Sequence, residues 1–200
     1  MDIKKAVKNL EGRGFKVRFF ETKEEAADYL ADTIKDTSVG IGGSVTVEQM
    51  GLYPRLMEHN KVYWHWSRGG NAPDEMEQAM NARVYLSSAN AISEDGEIVN
   101  IDGRGNRVAA CLHGREKVYI ISGVNKLCPN LNAAIDRARN VAAPKNAQRL
   151  GKNTPCAAKA DKCYDCRSKE RICNGMVIHM GKMTGVGETE VVLVNEELGF

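Results

Sequence analysis

The sequence predicts an α/β fold: an open, mostly parallel sheet with helices on both faces. Short apolar runs alternate with amphipathic stretches, which is the order of strands and helices in parallel sheets. Glycines stand where a predicted strand passes into a predicted helix. The chain has 200 residues, of which 42% are hydrophobic, and it can therefore bury one sizeable core. We expect a single domain over residues 1–200.

The first half of the chain repeats strand and helix. Thr22 and Glu25 have the spacing of a capping box, which predicts the start of the second helix. Gly12 and Gly14 end the helix before it. The predicted helices cover residues 1–12, 22–34 and 46–59, and the predicted strands cover residues 16–20, 38–41 and 62–66.

The second half continues this alternation and then changes in composition. A helix is predicted after Pro73, and the run Lys117 to Ser122 is the clearest strand in the sequence. Residues 151–175 carry few large apolar groups, so we expect a cysteine-rich, metal-binding insertion within the domain. The other predictions are strands at 84–88, 176–180 and 190–194, a hairpin arm at 96–102, a helix at 130–140 and a Gly-rich turn at 181–187.

Charge and hydropathy argue against two classes of partner. The 28 Lys and Arg residues nearly balance the 26 Asp and Glu residues and are scattered, so no nucleic-acid surface is expected. The N-terminal stretch lacks the apolar core of a signal peptide, and no run approaches the ~18 apolar residues of a membrane span. We expect a cytosolic protein, whose cysteines are thiols or metal ligands.

Four cysteines form the most specific pattern in the chain. Cys156, Cys163, Cys166 and Cys173 follow the spacing C-x6-C-x2-C-x6-C. The central C-x2-C turn lets two sulfurs reach one metal, and the arms can fold the outer cysteines back to complete a tetrahedral set. Zinc and an iron-sulfur cluster both suit four such ligands, and the spacing does not decide between them. A loop of reduced thiols, or a redox pair at Cys163 and Cys166, is the alternative.

The other two cysteines and the histidines have simpler interpretations. Cys111 and Cys128 stand among apolar residues and are expected to be small buried side chains. His65 lies between Trp64 and Trp66 on a predicted strand, so it should point away from both indoles. It is interpreted as a structural histidine, although a crevice is an alternative environment for it.

A glycine turn between a predicted strand and a predicted helix could hold an anion. Gly42, Gly43 and Ser44 would present backbone N–H groups at the positive end of the helix. The turn matches neither the phosphate loop of nucleotide hydrolases nor the full dinucleotide fingerprint. A tight connection without a ligand is the alternative. Glu48 would either face the same crevice or be a solvated helix residue.

A second polar region offers candidate catalytic groups. Residues 87–107 carry carboxylates, amides and arginines in loops that follow predicted strands, where α/β proteins collect their ligand contacts. Glu94 is a candidate acid or base, and Arg107 is a candidate clamp for a carboxylate. Turns at Asp95-Gly96 and Asp102-Gly103 give the same sequence a purely structural interpretation.

Several separated motifs in this chain resemble the lactate-utilisation (LUD) domain family. The motifs are GGSVTVEQMGL (42–52), SANAISEDGEIVNIDGRGNRVAA (87–110), RNVAAPKNAQRL (139–150), and TPC followed by C-x2-C, ERICN and VVLVNEELGF. The resemblance implies a fold similar to that of the sugar isomerases and CoA transferases. It also implies an association with the oxidation of lactate to pyruvate, because some members of the family are encoded with iron-sulfur oxidase subunits.

The resemblance also implies site residues. The glycine turn corresponds to the anion-binding loop of the related fold, with Thr46 and Glu48 beside it. Asn90 and Asn106, with Glu94 and Arg107, fall in the other shared motif. The cysteine segment occurs in only part of the family and differs from the ferredoxin-type domains of larger relatives.

Three functional hypotheses follow. The first is an accessory or electron-transfer subunit in lactate oxidation, with an iron-sulfur cluster on the cysteines and iron-sulfur oxidoreductase subunits as partners. The second is a stand-alone enzyme or sensor for an organic acid, a sugar phosphate or a CoA-like ligand, with a structural zinc. The third is a structural partner whose loops dock another subunit. A homo-oligomer and catalysis by the isolated chain are left open.

Overall fold

A computed structural model describes residues 1–66 and 73–200. Its main sheet contains six strands, all parallel, and this confirms the predicted α/β class. The strands are β1 (Lys16–Phe20), β2 (Ser38–Ile41), β3 (Lys61–Tyr63), β4 (Val84–Ser88), β7 (Lys117–Gly123) and β10 (Glu188–Val194), and β5, β6, β8 and β9 belong to a second sheet.

The strands of the main sheet lie in the order β1-β10-β7-β4-β2-β3. Strand β10 is inserted between β1 and β7, pairing Val191 with Val17 on one side and with Ile120 on the other. Its run of buried apolar residues is what a strand covered on both faces requires. The strand predicted at 62–66 is shorter than expected, because β3 ends at Tyr63.

Helices cover both faces of the main sheet. One face packs α2, α3 and α4 against Ile41, Leu86 and Ile121, and the other packs α1, α5 and α6 against Tyr85 and Ile120. Adjacent residues of one strand enter opposite cores because strand side chains alternate. The helices are α1 (Ile3–Gly12), α2 (Lys23–Thr33), α3 (Val45–Gln49), α4 (Leu52–Met57), α5 (Pro73–Asn81), α6 (Asn106–Leu112), α7 (Leu131–Arg137), α8 (Ala143–Arg149) and α9 (Pro155–Lys159).

Two helices differ from the sequence prediction for local reasons. The helix expected at 46–59 is broken into α3 and α4 at Gly51, whose φ of 60° lies in the left-handed region that glycine tolerates. The helix expected at 130–140 continues through a π-helical turn, Ala138–Ala142, into α8. Pro144 has no N–H for an ordinary helical bond, and the wider π turn accommodates that gap. The capping box at Thr22 is present as predicted.

The second sheet contains four strands in the order β8-β5-β6-β9. They are β5 (Ala91–Ser93), β6 (Ile98–Asp102), β8 (Leu127–Cys128) and β9 (Gly175–His179). The predicted hairpin arm is β6, which pairs antiparallel with β5. Ala91, Val99 and Cys128 of this sheet pack against Ala134 of α7 and Ala138 of the π-helical turn that follows it. Strands β9 and β10, expected as neighbours across a turn, belong to different sheets, because β9 pairs with β6.

The helices in the described ranges were also compared with the dimensions of a bilayer. None of them combines the length and the apolar character that crossing a membrane requires.

Candidate functional site

The carboxyl ends of three neighbouring strands open into one cleft. Strands β2, β4 and β7 are parallel and adjacent, so the residues that follow them meet at the same edge of the sheet. The cleft has a volume of about 810 Å³. Ser88, the last residue of β4, lines it together with Thr46 and Lys126, which follow β2 and β7 by a few residues.

Lys126 forms the floor of the cleft with two hydroxyl groups. Its Nζ donates to Thr46 Oγ1 at 2.8 Å and to Ser88 Oγ at 3.0 Å. Ser88 Oγ in turn donates to Thr46 Oγ1 at 3.1 Å, and Thr46 Oγ1 donates to the Leu198 carbonyl at 3.3 Å. Lys126 is only 2% exposed, so this amine is held in a fixed position by packing and hydrogen bonds.

The environment of Lys126 favours the neutral amine. Burial lowers its pKa to about 7, and the positive charges of Arg137 and Arg107 contribute further to the lowering. No carboxylate of the described residues opposes these effects. A lysine with an ordinary pKa is almost fully charged at pH 7, so the lowered pKa increases the fraction of neutral Lys126 amine there.

Positive charges predominate around the cleft. Glu48, Asp102 and Glu170 are the three acidic side chains that line it within the described residues. The seven basic side chains are Arg104, Arg107, Lys126, Arg149, Lys152, Lys169 and Arg171. A partly enclosed cavity with this excess attracts an anion, because low-dielectric walls concentrate the field of the charges.

The structure brings most of the predicted glycine turn to the cleft. Gly43, Ser44, Thr46 and Glu48 line it, and Glu48 is also exposed to solvent. The backbone groups are less free than the sequence suggested. The N–H of Gly42 donates to the Leu86 carbonyl at 3.0 Å, and Gly42 is not among the lining residues. Ser44 Oγ accepts from the Val47 N–H at 3.2 Å and so caps α3.

Arg107 lines the cleft but is already engaged by the protein. Its Nη1 donates to the Ser88 carbonyl at 3.1 Å and to Asn100 Oδ1 at 2.7 Å, and its Nη2 donates to the Ile101 carbonyl at 2.7 Å. Its Nε lies 3.6 Å from Asp102 Oδ2. These contacts join the end of β4 to strand β6. Arg107 therefore positions Ser88, and a bidentate grip on a ligand would break some of these contacts.

The remaining predicted residues divide between the cleft and the opposite side of the hairpin. Asn90 and Asn106 line the cleft, and Asn90 Oδ1 accepts from the Ile101 N–H at 2.7 Å. Glu94 is not brought to it. Its Oε1 accepts from the Asp2 N–H at 2.8 Å and its Oε2 lies 3.5 Å from Lys5 Nζ, so it ties the hairpin to α1.

An aromatic edge completes the cleft beside β3. Trp66 lines it, with Arg149 Cζ 4.6 Å from the indole ring centroid and the Trp64 ring 5.7 Å away. His65 also lines the cleft; burial lowers its pKa, and the charge of Arg104 lowers it further. Because β3 ends before these residues, the alternation expected for a strand does not apply to them.

The cysteine segment, residues 151–175, forms one wall of the cleft. Lys152, Lys169, Glu170, Arg171 and Ile172 are the lining residues near its cysteines, together with Asn174. Only Thr154 and Ala157 of the segment are buried. Its position beside the cleft was not foreseen from the sequence.

The cysteine sulfurs are partnered by protein groups in this fold. The Asp165 N–H donates to Cys163 Sγ at 3.4 Å, and Arg171 Nη2 donates to Cys173 Sγ at 3.5 Å. No group of three or more His, Cys, Asp or Glu side chains within residues 1–66 and 73–200 is arranged to hold a metal ion. Metal binding by the four cysteines stays a prediction from their spacing. Cys111 and Cys128 are buried, as expected.

Lys126 was absent from the residues singled out in the sequence. A usable signal was present, however, because Lys126 is the one charged residue in the run GVNKLC that follows the clearest strand. In a parallel sheet, a polar group placed just beyond the carboxyl end of a central strand is a candidate ligand contact.

Comparisons with known proteins agree with this architecture. The family model described as the LUD domain matches residues 3–194. The crystal structure of a DUF162 family protein from Deinococcus radiodurans is similar with a TM-score of 0.55 and 12% sequence identity, covering 97% of this chain and 99% of that one. At this identity the likeness shows the fold alone. No curated protein sequence matches the chain.

Proposed function

Because the chain belongs to the LUD domain family, which is associated with lactate utilisation, we propose that it binds a small anionic metabolite in the cleft. The ligand is an organic acid or a phosphorylated compound. The excess of basic over acidic side chains around the cavity supports this proposal most directly. The floor of the cleft also supports the proposal. Lys126 is buried there without an acidic partner among the described residues, so a bound carboxylate or phosphate would stabilise its charged form.

The size and composition of the cavity agree with a metabolite rather than a macromolecule. Its volume of about 810 Å³ lies in the range of small-molecule sites. The polar groups converge from three strand ends, the second sheet and the cysteine segment, so a ligand would be contacted from several sides. An aromatic wall at Trp66 would cover an apolar part of the same ligand.

Calorimetric titration of the full chain tests the proposal. The probes are lactate, pyruvate, inorganic phosphate and a sugar phosphate, each at low and high salt. We expect at least one of them to bind, with affinity that falls as salt screens the charges. Replacing Arg149, which lines the cleft, by Met should weaken binding about tenfold, since a charge-assisted contact contributes ~1.5 kcal/mol or more.

Lys145, one helical turn before Arg149, provides a matched control for that substitution. Lys145 belongs to the same helix, α8, but is exposed and does not line the cavity. Lys145→Met removes the same charge and should leave the affinity unchanged within experimental error. If none of the four probes binds, or if both variants lose affinity equally, the cleft is not the anion site.

The position of the cysteine segment favours a second candidate function. In this alternative the protein is an accessory or electron-transfer subunit in the oxidation of lactate to pyruvate. Lys169, Glu170 and Arg171 lie between Cys166 and Cys173 and also line the cleft, so a redox group on the segment would be close to a bound acid. Iron and sulfide analysis after anaerobic purification tests it, and a protein without either contradicts it.

A further inference from the structure

In its neutral form, the amine of Lys126 has a lone pair that its two hydroxyl contacts do not use. A neutral lysine amine carries two N–H donors and one lone pair, and two donors are what Thr46 Oγ1 and Ser88 Oγ accept, at 2.8 and 3.0 Å. No carboxylate of the described chain lies against Nζ to hold a third proton. The two hydroxyl contacts therefore fix the nitrogen while leaving its nucleophilic electrons unengaged.

A neutral amine in a desolvated site is a nucleophile toward carbonyl carbon. Lysine is ordinarily too basic for this role at neutral pH, because only about one amine in a thousand is unprotonated. Burial beneath the cleft and the adjacent charges of Arg107 and Arg137 shift Lys126 toward the reactive form. The same amine lines a cavity that attracts anions, so an anionic carbonyl compound would meet it there.

We propose that Lys126 forms an imine with a small carbonyl compound that carries a carboxylate or a phosphate group. This inference rests on the proposed function, because the cationic cleft supplies the affinity that brings the carbonyl to the amine. A 2-oxo acid and a ketose phosphate share the required chemistry. Either compound places an anionic group within a few bonds of an electrophilic carbon.

The step balances without an oxidant or a metal. The nitrogen of Lys126 attacks the carbonyl carbon and forms a C–N bond while the C=O π bond breaks, and one amine proton moves to the oxygen to give a carbinolamine. The carbinolamine hydroxyl takes up a proton and leaves as water, and the nitrogen loses its second proton. The Ser88 hydroxyl, at 3.0 Å from Nζ, is placed to pass this proton toward the departing oxygen. The product is an imine and one water molecule, with no net change in oxidation state.

Reductive trapping of the full chain tests the proposal. The protein is incubated with pyruvate or with dihydroxyacetone phosphate, treated with sodium borohydride, and analysed by intact mass and peptide mapping. Borohydride delivers hydride to the imine carbon and converts it to a stable secondary amine. We expect one adduct per chain, mapped to Lys126, with pyruvate or with the phosphate. The compound that is trapped identifies the anionic group that the site prefers.

Two variants and a non-carbonyl ligand complete the experiment. Lys126→Met should abolish the adduct, and Lys145→Met, which alters an exposed lysine outside the cleft, should not change its yield. Peptide mapping of the unaltered chain gives the same answer if the Lys126 variant fails to fold. Lactate, a hydroxy acid without a carbonyl, should leave no adduct and should reduce the yield by competition.

The outcomes separate this proposal from the one it rests on. No adduct, or an adduct distributed over exposed lysines, overturns the imine. If calorimetry with the same preparation still shows anion binding that depends on Arg149, Lys126 acts only as a hydrogen-bond donor and the proposed function stands. Absence of both the adduct and anion binding overturns both proposals.

Discussion

The floor and one wall of the cleft are built in opposite ways. The floor, formed by Thr46, Ser88 and Lys126, is at most 5% exposed and is held by hydrogen bonds between residues 38 to 80 positions apart. The wall formed by the cysteine segment has two buried residues in twenty-five positions and few regular elements. One surface of the cleft is fixed by the core, whereas the other is held mainly by local contacts.

This difference indicates how the two surfaces respond to change. A group embedded in a packed interior cannot move without disturbing the sheet, because such interiors are close-packed. A segment with little buried apolar area can open at low cost in free energy. The floor therefore suits chemistry that needs a fixed position, and the wall suits the admission and closure of a ligand.

The largest expected effect is a difference in stability between the two surfaces. Leu86 lies fully buried in β4, two residues before Ser88, and Leu86→Ala should lower the free energy of unfolding by about 2–5 kcal/mol. Ile172 in the wall is half-buried, and Ile172→Ala should cost about 1 kcal/mol or less. Urea denaturation measures both. Equal losses would show that the wall is as integral to the core as the floor.

The second effect is the pH dependence of imine formation at Lys126. Burial lowers the pKa of Lys126 to about 7, and only the neutral amine forms an imine. The rate of trapping at low ligand concentration should fall about tenfold for each pH unit below 7 and level off above it. Adduct yield against pH from 5 to 9 measures this. A rate that keeps rising to pH 9 would mean that the lysine titrates like an exposed one.

The third effect concerns a glycine above the floor. Gly199 has a φ of 63°, and a Cβ added there would stand 2.6 Å from Thr46 Oγ1 and 3.1 Å from Lys126 Nζ. Gly199→Ala should cost about 1 kcal/mol through backbone strain and should also reduce trapping, because the methyl group crowds the amine. Gly151, with a φ of 62° and open space around it, is the control. Gly151→Ala should cause a similar loss of stability through backbone strain but should leave the yield of the trapped adduct unchanged.

The smallest expected effect is that of the cysteines on the metal-free chain. Their sulfurs make only weak contacts, so Cys163→Ser with Cys166→Ser should change the free energy of unfolding by less than about 0.5 kcal/mol in the presence of a chelator. The metal site predicted from the sequence adds a second measurement, the metal content of the purified protein. Iron or zinc that copurifies with the parent chain should be lost from the double variant, and equal metal in both would remove these cysteines as ligands.

The sequence was informative about elements and less informative about assembly. Periodicity located the six parallel strands and the capping box at Thr22, because these signals are local. It did not separate the second sheet from the first. The pairing of β9 with β6 joins segments more than seventy residues apart, and no short-range pattern records such a partner.

The structure brings some of the predicted residues to the cleft and carries others away from it. The sequence pointed to Asn106 and to the glycine turn, of which Gly43 and Ser44 line the cleft, because turns and helix starts have recognisable residue types. Lys126 was missed because a lone lysine resembles a solvated one until burial is known. Glu94 was singled out for its charge, but the hairpin carries its side chain to the opposite side, toward α1. Direction along a hairpin depends on pairing register, which the sequence alone does not fix.

The insertion of β10 between β1 and β7 has a consequence for synthesis. On the ribosome, β1 and β7 emerge long before residues 188–194, and each must wait with an unpaired edge for the strand that joins them. Exposed strand edges of this kind are templates for aggregation. We expect chains stopped before β10 to be poorly soluble, and the nascent protein to depend on chaperones until this strand is released.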